Sequence, residues 1–209
     1  MDYKDLSKQL GVLLAAALVV GFSISMFDIP KAHWAILSFF IILLVNFSVK
    51  KGIAYYLEAD IKPNFWGLEY YWFGSESKFK KPIIMIWMPL LISFITQASF
   101  FWLAVLSYEI KPRTERVSKR HGLYRFAQMT DWHIAWITAF GIIANLVLAV
   151  VAYLAGFELF ARLSIYFVLW SLIPISDLDG SKILFGSRVL WLSLITLLVI
   201  LFSFGIVIS

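Results

Sequence analysis

Long apolar stretches alternate with short polar connections along most of this chain. A helix needs roughly 20 apolar residues to cross about 30 Å of hydrocarbon. Residues 10–27, 33–49, 133–155, 157–175 and 189–208 have that character and predict five spans. A sixth apolar stretch, 82–107, is long enough but carries Pro89 and a polar group, Ser93, Thr96, Gln97 and Ser99, near its middle. Two polar loops, 50–81 and 108–131, lie on either side of it. No internal repeat, low-complexity tract or heptad pattern interrupts this order. The pattern predicts one all-α polytopic membrane domain over residues 1–209, with five to six transmembrane helices.

Composition strengthens that reading. The 209 residues are 61% hydrophobic and only 15% charged, with a mean hydropathy of +0.84. A soluble domain is nearer half apolar and a quarter charged, so lipid has to cover the excess. Nine Trp and nine Tyr suit the membrane–water interface, where an apolar ring and one polar atom are both accommodated. The first stretch follows Lys4 and Lys8 and ends near Ser23-Ile24-Ser25, which resembles a weak signal-peptide cleavage site. Its apolar run exceeds the usual signal core, which predicts a retained span. No cysteine is present, which excludes disulfides, thiolate ligands and cysteine nucleophiles. The net charge of +5 fits anionic lipid on the cytoplasmic side better than nucleic acid.

The basic residues also predict topology, because Lys and Arg resist translocation. If 82–107 crosses fully, the two basic loops fall on opposite sides. If it dips in and returns, both loops, the N-terminus and 176–188 are cytoplasmic. Sixteen of the eighteen Lys and Arg then lie inside, and only Lys31 and Arg162 lie outside. Pro89 tends to break or kink a helix there, and the central polar residues suit a re-entrant apex. A kinked span of about 39 Å remains the alternative.

The segment Ile173-Pro174-Ile175-Ser176-Asp177-Leu178-Asp179-Gly180 closes the fourth clear span and begins its connection, with Pro174 and Gly180 as turn residues. It resembles the Asn-x-x-Pro-x-x-x-Leu-Asp-Gly segment of site-2 proteases, the intramembrane zinc metalloproteases. Ser181-Lys182-Ile183-Leu184-Phe185-Gly186 looks like the archaeal members. Upstream, Ala139-Phe140-Gly141-Ile142-Ile143-Ala144-Asn145-Leu146 is similar to the family's Ala-Gly-Pro-x-x-Asn-Leu span, with Ile142 where Pro is usual. Phe100-Phe101-Trp102-Leu103-Ala104-Val105 is loosely similar to the archaeal stretch before that span. The resemblance covers about residues 40–190 and implies a site-2-protease-like core.

The family's His-Glu-x-x-His is missing. That motif places two imidazoles one turn apart on zinc and a Glu between them as general base. In the family, the Asp of Leu-Asp-Gly is the third ligand. Aligned through Ala54, the motif falls on Asn46-Phe47-Ser48-Val49-Lys50. An amide, a benzene ring and an ammonium therefore replace both ligands and the base. The family-site equivalents are Asn46, Phe47, Lys50, Asn145, Asp179 and Gly180, none of them catalytic. Zinc is the cofactor expected for the family, but its ligands are missing here. His33, His121 and His133 show no zincin spacing, and a site on Asp179 with His121 and His133 is the weak remaining candidate. Otherwise Asp131-Trp132-His133 reads as a helix start, with Asp131 as cap and Trp132 at the interface. Lys50 shares a helix face with Asn46, one turn on, so its ammonium can balance Asp179 as zinc would. The alternative is that Lys50 and Lys51 both reach to the cytoplasmic surface.

Three functions remain open. A non-peptidase homologue would bind membrane helices or a partner without cutting. An active enzyme would need a displaced metal. A transporter or channel would use 82–107 as a path, although the clear spans are almost free of charge. No catalytic Gly-rich loop, Gly-x-Ser-x-Gly or Ser–His pairing stands out. The expected partners are the bilayer and a transmembrane-helix protein.

Overall fold

The computed structural model describes residues 3–26, 30, 32–68, 83–97, 99–113 and 129–207. Seven helices and four short strands occur among them. Helix α1 is Tyr3–Ile24, α2 is Ala32–Tyr56, α3 is Met88–Ile95, α4 is Asp131–Leu154, α5 is Glu158–Leu172, α6 is Asp179–Gly186 and α7 is Arg188–Val207. Strands β1 (Ala59–Phe65), β2 (Gly67–Leu68), β3 (Ile83–Ile84) and β4 (Leu106–Pro112) form two antiparallel pairs, β1 with β4 and β2 with β3.

Three helices, α1, α2 and α4, are long and apolar enough to cross a membrane. Away from the polar first turns of α1 and the last turns of α2, large apolar side chains make up most of their outer faces. Several of the outward residues are large and apolar: Leu14, Leu18 and Phe22 on α1, and Val147, Val151 and Leu154 on α4 are all exposed. The chain is thus a mostly helical protein suited to a lipid bilayer. The segment expected to span at 157–175 contains a helix of 15 residues, which is about 22 Å long. α7 is apolar over Arg188–Ser203.

Small residues set the spacing of the bundle. On α1, Leu13, Ala16, Ala17 and Val20 recur every three or four positions and are fully buried. A Cβ at Gly21 would come within 2.5 Å of Ile36 Cγ1, so only glycine lets α1 and α2 approach this closely. On α2 the buried residues are Ala35, Phe39, Ile42, Leu43, Asn46, Phe47, Lys50 and Ala54. That single helical stripe carries Lys50 inward. α2 runs two turns past its expected end at residue 49, because nothing in Lys50–Tyr56 breaks a helix. Glu58, in the left-handed region at φ +58°, then turns the chain into β1.

The stretch 82–107 is neither a plain span nor all helix. Pro89 sits in the first turn of α3, where its missing N–H is not needed, so it starts this helix and does not kink it. α3 lasts only eight residues, and Gln97 turns the chain at φ +50°. Two reciprocal bonds hold α3 against the end of α1: Ser23 Oγ donates to Pro89 O at 2.7 Å, and Ser93 Oγ donates to Ser23 O at 2.7 Å. The chain then returns as β4, pairing from Phe65↔Leu106 to Ala59↔Pro112. β4 therefore ends beside the residues that follow α2, so the chain leaves and rejoins this end of the bundle. The all-helical expectation is corrected here. The alternation Ala59, Ile61, Pro63 inward and Lys62, Asn64 outward is a strand period, masked in the sequence by the prolines and by reading 82–107 as a span.

Candidate functional site

The site is built where α2, α4, α6 and β4 meet. Lys50 is the last buried polar residue of the α2 stripe and is fully buried. Its Nζ donates to Asp179 Oδ2 at 2.5 Å. Asp179 is the first residue of α6 and only 5% exposed. A carboxylate in the first turn is favoured by the helix dipole. The ammonium also lies 3.7 Å from the centroid of the Tyr108 ring. Tyr108 stacks on Phe47 with ring centroids 6.4 Å apart, so an aromatic pair closes one side of the ion pair.

Glycines make the room. A Cβ at Gly141 of α4 would meet Lys50 Cε at 2.5 Å, Lys50 Cγ at 2.7 Å and Asn46 Nδ2 at 3.1 Å. Gly141 is thus the floor over which the lysine stem lies. A Cβ at Gly180 would collide with the backbone carbonyl of Leu172. Gly180 therefore permits close approach of α6 to the end of α5. The connection's left-handed residue is Ser176, at φ +50°, so the turn expected at Gly180 is made four residues earlier.

Lys182, one turn into α6, locks the strand to the helix. Its Nζ donates to Tyr108 O at 2.6 Å and pairs with Asp177 Oδ1 at 2.9 Å. A cavity of about 390 Å³ opens beside this lock, lined by Tyr108, Asp131, Asp177, Ser181, Lys182 and Phe185 among others. Burial pushes the Tyr108 phenol well above its usual range, and the Asp179 charge pushes in the same direction. The phenol is therefore neutral at any physiological pH.

Several buried polar atoms here have no hydrogen-bond partner among the described residues: both amide atoms of Asn46, both of Asn145, Asp179 Oδ1 and the Tyr108 hydroxyl. Orphaned groups of this kind cost about 1–3 kcal/mol each in a core. Their clustering at the helices carrying the sequence motifs makes this the candidate site. The backbone carbonyl of Asn145 accepts from Ser164 Oγ at 2.9 Å.

Of the residues singled out from sequence, Lys50 and Asp179 are in contact, Phe47 stacks over the same pocket, and Asn46 sits with Lys50 on the buried face. Asn145 is fully buried one turn beyond Gly141 on α4. His33 and His133 do not join them. His33 is at the exposed start of α2 and tilts against Trp34. His133 Nδ1 lies 2.6 Å from Thr130 Oγ1 at the start of α4. Thr130 is the N-cap of that helix and Asp131 is already inside it, which corrects the expected cap. His121 and Lys31 lie outside the described residues. Tyr108 was not legible as a site residue, because its loop gave no motif. Only the alternation Leu106, Tyr108, Ile110 hinted at a strand with one buried face.

The donors described at this site do not make a zinc site. A zinc site needs three or four nitrogen, sulfur or carboxylate ligands. Here the α2 face offers an amide and an ammonium, and that ammonium holds one of the two carboxylate oxygens of Asp179. No cluster of three His, Cys, Asp or Glu suited to a metal occurs among the described residues. What the arrangement provides is a charge-balanced polar core, Lys50 with Asp179, behind a cavity lined in part by Tyr108 and Lys182. No family model, curated protein or solved structure matches the chain.

Proposed function

We propose that this protein is a membrane-embedded, non-peptidase homologue of the site-2 proteases, which binds a transmembrane helix or a membrane-protein partner without cutting it. The observation that carries this reading is the ion pair between Lys50 and Asp179. The resemblance pairs the α2 face with the Leu-Asp-Gly carboxylate around a cation. An ammonium in contact with Asp179 supplies a cation of that kind from the chain itself. The cavity of about 390 Å³ beside Tyr108 and Lys182 is the place where a bound segment would meet this site. Both basic loops and the N-terminus are cytoplasmic in this reading, which the return of β4 beside β1 supports. The number of membrane crossings is then five, with 82–107 re-entering.

Rebuilding the missing motif tests it. The triple variant Asn46→His, Phe47→Glu, Lys50→His restores two imidazoles and a general base on the face that meets Asp179. Metal analysis of the purified protein should find about one zinc per chain in this variant. The parent protein should hold none at stoichiometric level and show no chelator-sensitive cleavage of a bilayer peptide. Stoichiometric zinc in the parent overturns the non-peptidase reading. A folded triple variant that takes up no zinc overturns the proposed kinship.

A further inference from the structure

A second and larger cavity, of about 1020 Å³, lies on the side of α2 that faces α1 and the β1–β4 pair. It sits where α1 begins and α2 ends. One wall is apolar, from Leu6 and Leu10 of α1 and Leu44 of α2. Lys51, Lys62, Lys111 and Arg113 line it as well. Three carboxylates, Asp5, Asp60 and Glu109, also line it, so the cations are in excess by one. Two of those carboxylates are engaged: Asp60 with Arg113 at 3.3 Å and Glu109 with Lys111 at 2.6 Å.

That leaves Lys51 and Lys62 with one carboxylate of the lining, Asp5. Lys51 Nζ donates to Gln9 Oε1 at 2.7 Å and lies 4.9 Å from the centroid of Phe47, but forms no salt bridge among the described residues. An ammonium has three donors, so two remain. Lys62 is exposed on β1 and likewise forms no salt bridge among the described residues; Glu109, directly across the sheet, pairs with Lys111 instead. A cleft with free ammonium groups above an apolar wall, at the ends of two membrane-spanning helices, matches one abundant class of molecule. We propose that this cleft binds the phosphate of an anionic phospholipid at Lys51 and Lys62, with an acyl chain lying along Leu6, Leu10 and Leu44. The bilayer around the helices is the source of that ligand, and the attraction of basic residues to anionic leaflets supplies the energy. The proposal does not depend on the function of the Lys50–Asp179 site.

The test uses the full chain in detergent, titrated separately with phosphatidylglycerol and phosphatidylcholine and followed by intact-complex mass spectrometry. One phosphatidylglycerol should be retained in preference to phosphatidylcholine. Lys62→Ala and Lys51→Gln should each weaken that binding about fivefold, the share expected of one cation near an anionic lipid. Lys8→Ala removes an equal charge from the exposed side of α1, outside the cleft, and should change nothing. Lys62 is exposed, so its replacement leaves the packing intact and a folding defect does not confuse the result. Equal retention of the two lipids overturns the proposal, as does an equal loss from Lys8→Ala. Competition by inorganic phosphate or glycerol phosphate as strong as by whole lipid also overturns it, in favour of a soluble anion.

Discussion

Lys50 and Lys51 are adjacent in the chain and occupy opposite regions of the molecule. Lys50 points into the protein, has no exposed surface, and is neutralised by a carboxylate contributed 129 residues later. Lys51 is turned about 100° around the same helix. It reaches a water-accessible cleft and rests on a neutral amide. Identical side chains thus face different energetic problems. For Lys50 the cost of removing charge from solvent is large, and only a matched partner makes it tolerable. For Lys51 the stem covers apolar surface and the charge stays near water. A helix rotation of one residue separates a structural or functional site from a surface anchor.

The sharpest way to break this comparison is to remove the partner in the interior region. Asp179→Ala leaves a buried ammonium without its counter-charge and should cost about 3–5 kcal/mol. Unfolding followed by circular dichroism in detergent would measure it. The double variant Lys50→Met, Asp179→Leu removes both charges and should recover most of that loss, since an apolar pair of similar volume is often neutral or better. If the double variant is as damaged as the single one, the ion pair is not the source of the cost.

A smaller effect is expected from pH. The Tyr108 phenol beside this pair titrates above its ordinary range in the folded protein. Its contribution to stability is complete below about pH 10 and is lost as pH rises toward the folded value, because the unfolded chain ionises first. Each pH unit in that window should cost roughly 1.4 kcal/mol through this group. Tyr108→Phe removes that slope while keeping the ring over Lys50. An unchanged alkaline slope in the variant would place the phenol in contact with water and contradict its burial.

The least effect belongs to the outer region. Lys51→Met keeps the stem and deletes the charge, so it should change stability by no more than about 1 kcal/mol. A loss comparable with that of Asp179→Ala would erase the distinction between the two lysines.

The membrane character of the chain was legible from the first reading, because a run of apolar residues is a local property. The helices α1, α2 and α4 follow from it, within a turn or two at their ends. The sheet was not legible. β1 contains Pro63 and β4 ends in Pro112, and each strand's partner lies more than forty residues away. No local pattern announces a pair of that separation. The expectation of Asp131 as a cap failed because the choice between Thr130 and Asp131 depends on where α4 meets α6. Gly186 of α6 packs on the first turn of α4, where a Cβ would meet the Asp131 carbonyl oxygen and, at 2.5 Å, Ala135 Cβ.

Taken alone, the sequence determined that several helices are apolar enough to cross a membrane, that thiolate chemistry is absent, and that Asn46-Phe47-Ser48-Val49-Lys50 carries no imidazole. Those facts depend on residue identity and short-range order. Only the tertiary structure decided that Lys50 turns inward and Lys51 outward, that Tyr108 roofs the pair, and that Gly141 leaves space for the lysine stem. Each of these depends on groups far apart in the chain meeting within a few ångströms, and the free energy of a buried charge depends on those meetings more than on the residue that carries it.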